Sequence, residues 1–136
     1  RNLFVVKINW ENKLLVQGQE LDIKQLRAKA KEFIANPEDK ADMPKLFEED
    51  FGQPFGTLKY TKEHVISVQN DMETQYQAYL DVQNELVAAY NELREECAQK
   101  YFYKSYTELD EEWQKKISKI YPQKISEAEP KNYGGK

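Results

Sequence analysis

The sequence holds one histidine, His64, and one cysteine, Cys97, the two side chains most readily tuned to react near neutral pH. His64 opens the apolar run HVISV and has no second ligand type at metal spacing. It reads as a structural or solvent-facing histidine rather than a general base. Cys97 falls on an apolar helical stripe with no histidine or cation cluster near it, so it reads as a small buried hydrophobe. As the sole cysteine it can form no intrachain disulfide. The acidic runs Glu48-Glu49-Asp50 and Asp110-Glu111-Glu112 lack the alternating spacing and central glycine of a calcium loop. They read as a solvated loop and as the first turn of a helix, where acids favour the dipole. None of the five glycines stands in a GxGxxG or GxxxxGK arrangement, which leaves no phosphate cradle. Tyr76, Tyr79, Tyr90, Tyr101, Tyr103 and Tyr106 are spaced as helix core or rim, with a sugar- or peptide-binding aromatic surface as the minority reading. The expectation is a non-enzyme with no catalytic residue, no cofactor and no metal site.

The elements that must position these residues belong to a chain of 136 residues with net charge −4, 32% charged and 40% hydrophobic. That composition fits a soluble globular domain. Acidic charge with scattered Lys and Arg predicts no nucleic-acid partner and no basic membrane-binding face. No apolar run approaches a bilayer span, and no signal peptide is evident. The chain starts at Arg1, directly before an apolar strand, and the expectation is that an upstream piece has been cut away.

Alternation predicts a strand over Leu3–Asn9 with Phe4, Val6 and Ile8 on one face, and a second over Lys13–Gln17. Trp10-Glu11-Asn12 is the turn of the hairpin, which ends at Gly18. Asp22 is the candidate N-cap of a first helix, with Gln25 at capping-box spacing. Ile23, Leu26, Ala30 and Phe33 or Ile34 form its apolar face, and Asn36-Pro37 stops it. The stretch 38–61 reads as an excursion pinned by Phe47, Phe51 and Phe55, with a short helix at Pro44–Glu49. Val65, Ile66 and Val68 make a third core strand ending at Asn70-Asp71. A long helix follows, with Tyr79, Val82, Leu86, Tyr90 or Ala89, Leu93 and Cys97 in one stripe facing a sheet. A further helix lies within 105–122, with Leu109, Trp113, Ile117 and Ile120 apolar and Thr107 and Asp110 at capping spacing. A weak closing strand, Lys124, Ile125, Ser126, Glu127 and Ala128, is poorly apolar and so belongs at a sheet edge. The predicted fold class is α/β: a two-layer sandwich with a mixed sheet of four or five strands. Two main helices cover one face in the order β-β-α-β-α-β, with an inserted loop and an extra short helix. One domain, 1–130, with insertions at 38–61 and 104–122 and a flexible tail at 131–136, is expected.

Several of these features resemble the periplasmic domain of the ExbD/TolR biopolymer-transport family. Val16-Gln17-Gly18 stands at the family's "ING"-like hairpin turn, and Asn70-Asp71 at its strand-ending "AD". Tyr76 falls five residues after Asp71, and Val82-Gln83-Asn84 takes the place of "VMD". The resemblance covers 3–36 and 64–93, with long insertions in the style of Bacteroidetes variants. It implies the periplasmic part of a single-pass inner-membrane protein. That protein's membrane helix would sit among ExbB- or TolQ-like subunits and use proton-motive force. The domain itself would be non-catalytic, would recognise a TonB- or TolA-like partner and would form a homodimer. Asp71 and Tyr76 are expected to fix the strand–helix junction, and Lys124–Ala128 to accept the partner as an added strand, with Ser126→Pro weakening binding but sparing the fold. The alternative is a periplasmic module that binds peptidoglycan or a small ligand.

Overall fold

In the computed structural model, which describes residues 1–127, the predicted alternation holds. Phe4, Val6 and Ile8 of β1 (Leu3–Ile8) are buried while their neighbours are partly exposed. Ala128 of the expected closing strand and the expected tail at 131–136 lie outside the described residues. β2 (Leu14–Val16) pairs antiparallel with β1 through Val6↔Val16 and Ile8↔Leu14. The hairpin does not end at Gly18. Gln17 and Gly18 both take positive φ, 51° and 82°, as a type I′ turn requires. The chain therefore doubles back as a two-residue strand, β3 (Gln19–Glu20), against β2. Two residues, both polar, carry no periodicity to read. The Gln17 side chain also closes the stretch of β1 that β2 leaves unpaired. Its amide accepts from the Val5 N–H at 2.9 Å and donates to the Leu3 carbonyl at 3.0 Å.

Helix α1 (Ile23–Ala35) is capped by Asp22, whose carboxylate accepts from the Lys24 N–H. Leu26, Ala30, Phe33 and Ile34 are its buried face. Asn36 ends it in the left-handed conformation (φ 39°). Fully buried, Asn36 donates to the Pro44 carbonyl and accepts from the Lys40 N–H, pinning the start of the insertion.

The insertion holds a hairpin in place of the expected helix at Pro44–Glu49. β4 (Phe47–Asp50) pairs antiparallel with β5 (Thr57–Tyr60). Phe47 and Glu49 alternate inward against Glu48 and Asp50, a strand period that the acidic run conceals. Gly52 and Gly56 turn the chain at φ 74° and 69°. Phe51 and Phe55 are buried, as the pinning expectation required.

β6 (Val65–Asn70) pairs parallel with β1 from Leu3↔Val65 to Ile8↔Asn70. It leads through a short turn into α2 (Tyr76–Phe102). After α2 comes a 3-10 turn at Tyr106–Glu108, and here Ser105 and Glu108, not Thr107 and Asp110, make the capping box. Then follow α3 (Glu111–Ile120) and β7 (Ile125–Glu127), which pairs parallel with β6. The sheet order is β3-β2-β1-β6-β7, with β4-β5 forming a separate small sheet.

The apolar stripe of α2 serves two cores rather than one sheet. Val82, Leu86, Ala89, Tyr90 and Leu93 join α1 and the five-stranded sheet. Cys97 and Ala98 join Phe51, Phe55, Tyr60, Leu109, Ile117 and Ile120. The reason is length. Six-residue strands span about 20 Å, whereas the 27 residues of α2 span about 40 Å. The overhang beyond the sheet carries the second core.

Candidate functional site at the outer edge of the sheet

β7 is an edge strand of the five-stranded sheet. The Ile66 N–H donates to the Lys124 carbonyl at 2.8 Å, and this bond sets the phase of the parallel ladder at Ile66↔Ile125. In that phase the Ser126 N–H turns inward to β6, while those of Ile125 and Glu127 face outward. Lys124 lies just before the strand, and its N–H donates to the Tyr90 hydroxyl at 3.2 Å. Arg94 of α2 holds the lead-in by donating to the Tyr121 carbonyl at 2.9 Å. Gln83 of α2 donates to the Glu127 carboxylate at 2.8 Å and to the Tyr79 hydroxyl at 3.1 Å. Ile125 is half-buried against the core, and Ser126 and Glu127 are exposed.

The strand–helix junction sits at the other end of β6. Asp71 is buried, its N–H donates to the Ile8 carbonyl at 3.0 Å, and its carboxylate accepts from the Glu73 N–H at 2.9 Å. Sequence reasoning passed over Thr74, whose hydroxyl reaches the Ile8 and Asn9 carbonyls at 2.9 and 3.1 Å. Its spacing of three from Asp71 is that of a local turn and could have been noticed. Tyr76 starts α2 as a residue 72% exposed, its ring stacked on Tyr79 at 6.2 Å and 23°.

The residues singled out for reactivity are placed as follows. Cys97 is buried, and burial pushes its thiol up to about 11, which disfavours the nucleophilic thiolate. His64 is fully buried, 2.8 Å from the Tyr90 hydroxyl through Nε2. Burial, and after it the charge of Lys124, lowers its pKa to about 4 against the opposing Pro122 carbonyl. Glu49 is tied to Tyr60 at 3.0 Å and to Lys119 at 2.9 Å, and the Lys119 ammonium holds its carboxylate below the usual range. Glu111 and Glu112 occupy the first turn of α3. Among the described residues no cluster of three or more His, Cys, Asp or Glu could hold a metal ion. No helix among them is long and apolar enough to cross a membrane.

A sequence model of the biopolymer transport protein family ExbD/TolR matches residues 1–94. The chain belongs to this family. No curated protein matches the chain. The ExbD/TolR match spans the pieces quoted for the resemblance, from the hairpin to Val82-Gln83-Asn84 on α2. It ends at residue 94, between Leu93, the last α2 residue in the sheet core, and Cys97, the first in the second core. ExbD/TolR proteins are transport-associated rather than enzymatic, are linked to the inner membrane, and form part of membrane complexes with ExbB- or TolQ-like subunits.

Proposed function

We propose that this domain is the periplasmic recognition part of a complex of the ExbB–ExbD–TonB or TolQ–TolR–TolA type. In this reading proton-motive force drives the membrane subunits, and the domain takes up an extended segment of the TonB- or TolA-like partner along the open edge of β7. Family membership supports the setting. The observation that carries the binding mode is the pair of outward N–H groups at Ile125 and Glu127 on an edge strand. Main-chain groups left unpaired at an edge supply affinity when a second strand adds.

The ladder phase also decides which variant tests the idea. Ser126→Pro removes an inward donor and is expected to loosen the pairing of β7 itself, whereas the sequence reading expected the fold to be spared. Glu127→Pro removes an outward donor, where an edge strand tolerates proline. It is expected to weaken partner binding about fivefold in calorimetry, the equivalent of one lost hydrogen bond of about 1 kcal/mol. Glu127→Gln controls for loss of the carboxylate. Equal affinity of Glu127→Pro and Glu127→Gln would overturn the edge assignment. A second reading, a sugar- or peptidoglycan-binding face, is favoured by the exposed Tyr76–Tyr79 stack, linked to β7 through Gln83. Retention on peptidoglycan, lost in Tyr76→Ser and unaffected by Glu127→Pro, would select that reading.

A further inference from the structure

Three residues that sequence analysis left without a joint role meet where β7 attaches. The His64 ring lies at the foot of β6, buried between Phe33 of α1, at 6.3 Å, and Tyr90 of α2, at 6.1 Å between centroids. Its Nε2 is 2.8 Å from the Tyr90 hydroxyl, and that hydroxyl is 3.2 Å from the Lys124 N–H. A backbone N–H can only donate, so the Tyr90 oxygen accepts from Lys124. We assign the one hydroxyl hydrogen to His64 Nε2, because the tautomer with the ring proton on Nδ1 is the one that gives the buried Tyr90 hydrogen an acceptor. The chain of bonds therefore has a direction: Lys124 N–H to Tyr90, Tyr90 O–H to His64.

A second proton on the ring reverses this direction. Nε2 becomes a donor, and the Tyr90 oxygen faces two donors while its own hydrogen has no acceptor. The Nδ1 nitrogen has no partner of good hydrogen-bond geometry among the described residues, so the Pro122 carbonyl offsets the burial only in part. The charges around the ring do not compensate. Lys124 faces it from the lead-in to β7 and opposes a positive ring, with only the Pro122 carbonyl favouring one. On α2 the charge of Arg94 acts on the Tyr90 hydroxyl, and α1 presents the Phe33 ring. The group that yields is the weakest partner, the three-residue strand whose start the Lys124 bond holds.

We propose that His64 and Tyr90 form a proton-sensitive clasp on β7, so that protonation of the buried ring reverses the His64–Tyr90–Lys124 chain and frees the edge strand. Its regulatory meaning, partner pairing that responds to periplasmic acidity, rests on β7 being the partner-binding edge. The clasp itself does not depend on that reading. The direction of the effect follows from linkage. A released strand lets water reach His64 and restores its ordinary affinity for protons, near 6.5, whereas the docked state holds it near 4. Docking is thus fully favoured above about pH 6.5 and weakens by up to about tenfold per pH unit as pH falls, by about 150-fold at pH 4.

Amide hydrogen exchange by NMR reads this on one strand with an internal control. The Ile66 N–H bonds toward β7, while alternation turns the Ser67 N–H toward β1. In the wild-type domain the protection of Ile66 relative to Ser67, corrected for intrinsic exchange, is expected to fall about 80-fold between pH 6.5 and 4. The fall should track the His64 ring carbon shift. His64→Gln keeps an acceptor for Tyr90 but cannot titrate in this range, so the ratio should stay flat. Tyr90→Phe removes the Lys124 acceptor and should lower Ile66 protection at every pH, while the part of the step that burial of His64 dictates remains. A flat wild-type ratio, or the same step in His64→Gln, overturns the clasp. No partner enters this measurement. A flat ratio alongside impaired partner binding by Glu127→Pro refutes the clasp and leaves the edge reading standing. A step alongside unimpaired binding by that variant does the reverse.

Discussion

The core beneath the five-stranded sheet is largely aliphatic, with Val6, Ile8, Leu26, Ile34, Ile66, Val68 and Leu86 all but inaccessible to solvent. The second core is largely aromatic. Phe55 meets Tyr101, Phe102 and Trp113 edge-on at 5.0 to 6.2 Å, and Phe51 meets Tyr60 at 5.1 Å. Branched aliphatics on a pleated surface hold a sheet in one register, because a one-residue slip would turn them all to water. Rings packed edge-to-face gain from each contact separately and can fasten a hairpin, a 3-10 turn and a short helix that share no ladder with the main sheet. The family match ends where one core passes to the other on α2. The second core therefore reads as an addition built on a lengthened helix.

The sharpest way to break this contrast is Leu86→Ala. Leu86 is fully buried in the sheet core, and its truncation should cost about 3–5 kcal/mol, lowering the midpoint of urea unfolding for the whole domain. Ile117→Ala empties a fully buried position of the second core and should cost about 2–4 kcal/mol. Here exchange should rise across β4, β5 and α3 while β1 and β6 stay protected. Equal loss of protection in both regions would show that the two cores melt as one. The smallest effect is expected at Arg27, whose guanidinium bridges Glu85 and Glu92 of α2 at 2.7 and 2.8 Å on the solvent side of the helix pair. Exposed pairs contribute little and are screened by salt. Arg27→Ala should barely move the melting temperature, and any shift should vanish in high salt.

Legibility in the sequence followed the same division. β1, β6, α1 and the first two thirds of α2 were readable because their aliphatic residues repeat at the period of the element they form. The β4–β5 hairpin was not, because Glu48-Glu49-Asp50 reads as a solvated run until a partner strand brings Glu49 to Tyr60 and Lys119. The split of the α2 stripe was equally hidden. Cys97 continues the spacing of Leu93, and only the length of the facing strands shows that it meets a different neighbour. At the candidate site, poor apolarity located the edge strand, but the inward aim of the Ser126 N–H depends on ladder phase, which composition does not encode. His64 was read as structural or solvent-facing and is fully buried, yet its bond to Tyr90 joins residues 26 apart, and no local pattern announces it.

The amide of Gln17, lying along β1 in place of a neighbouring strand, has a consequence for assembly. Together with the two-residue β3 it leaves that side of the sheet little main chain to offer, whereas among the described residues no strand pairs with the outer side of β7. The sheet then has a valence of one. Within this sheet a strand added at β7 meets no equally open edge on the far side, which disfavours head-to-tail growth through it. The main sheet can thus expose one strand without serving as a template for a fibre along its own length.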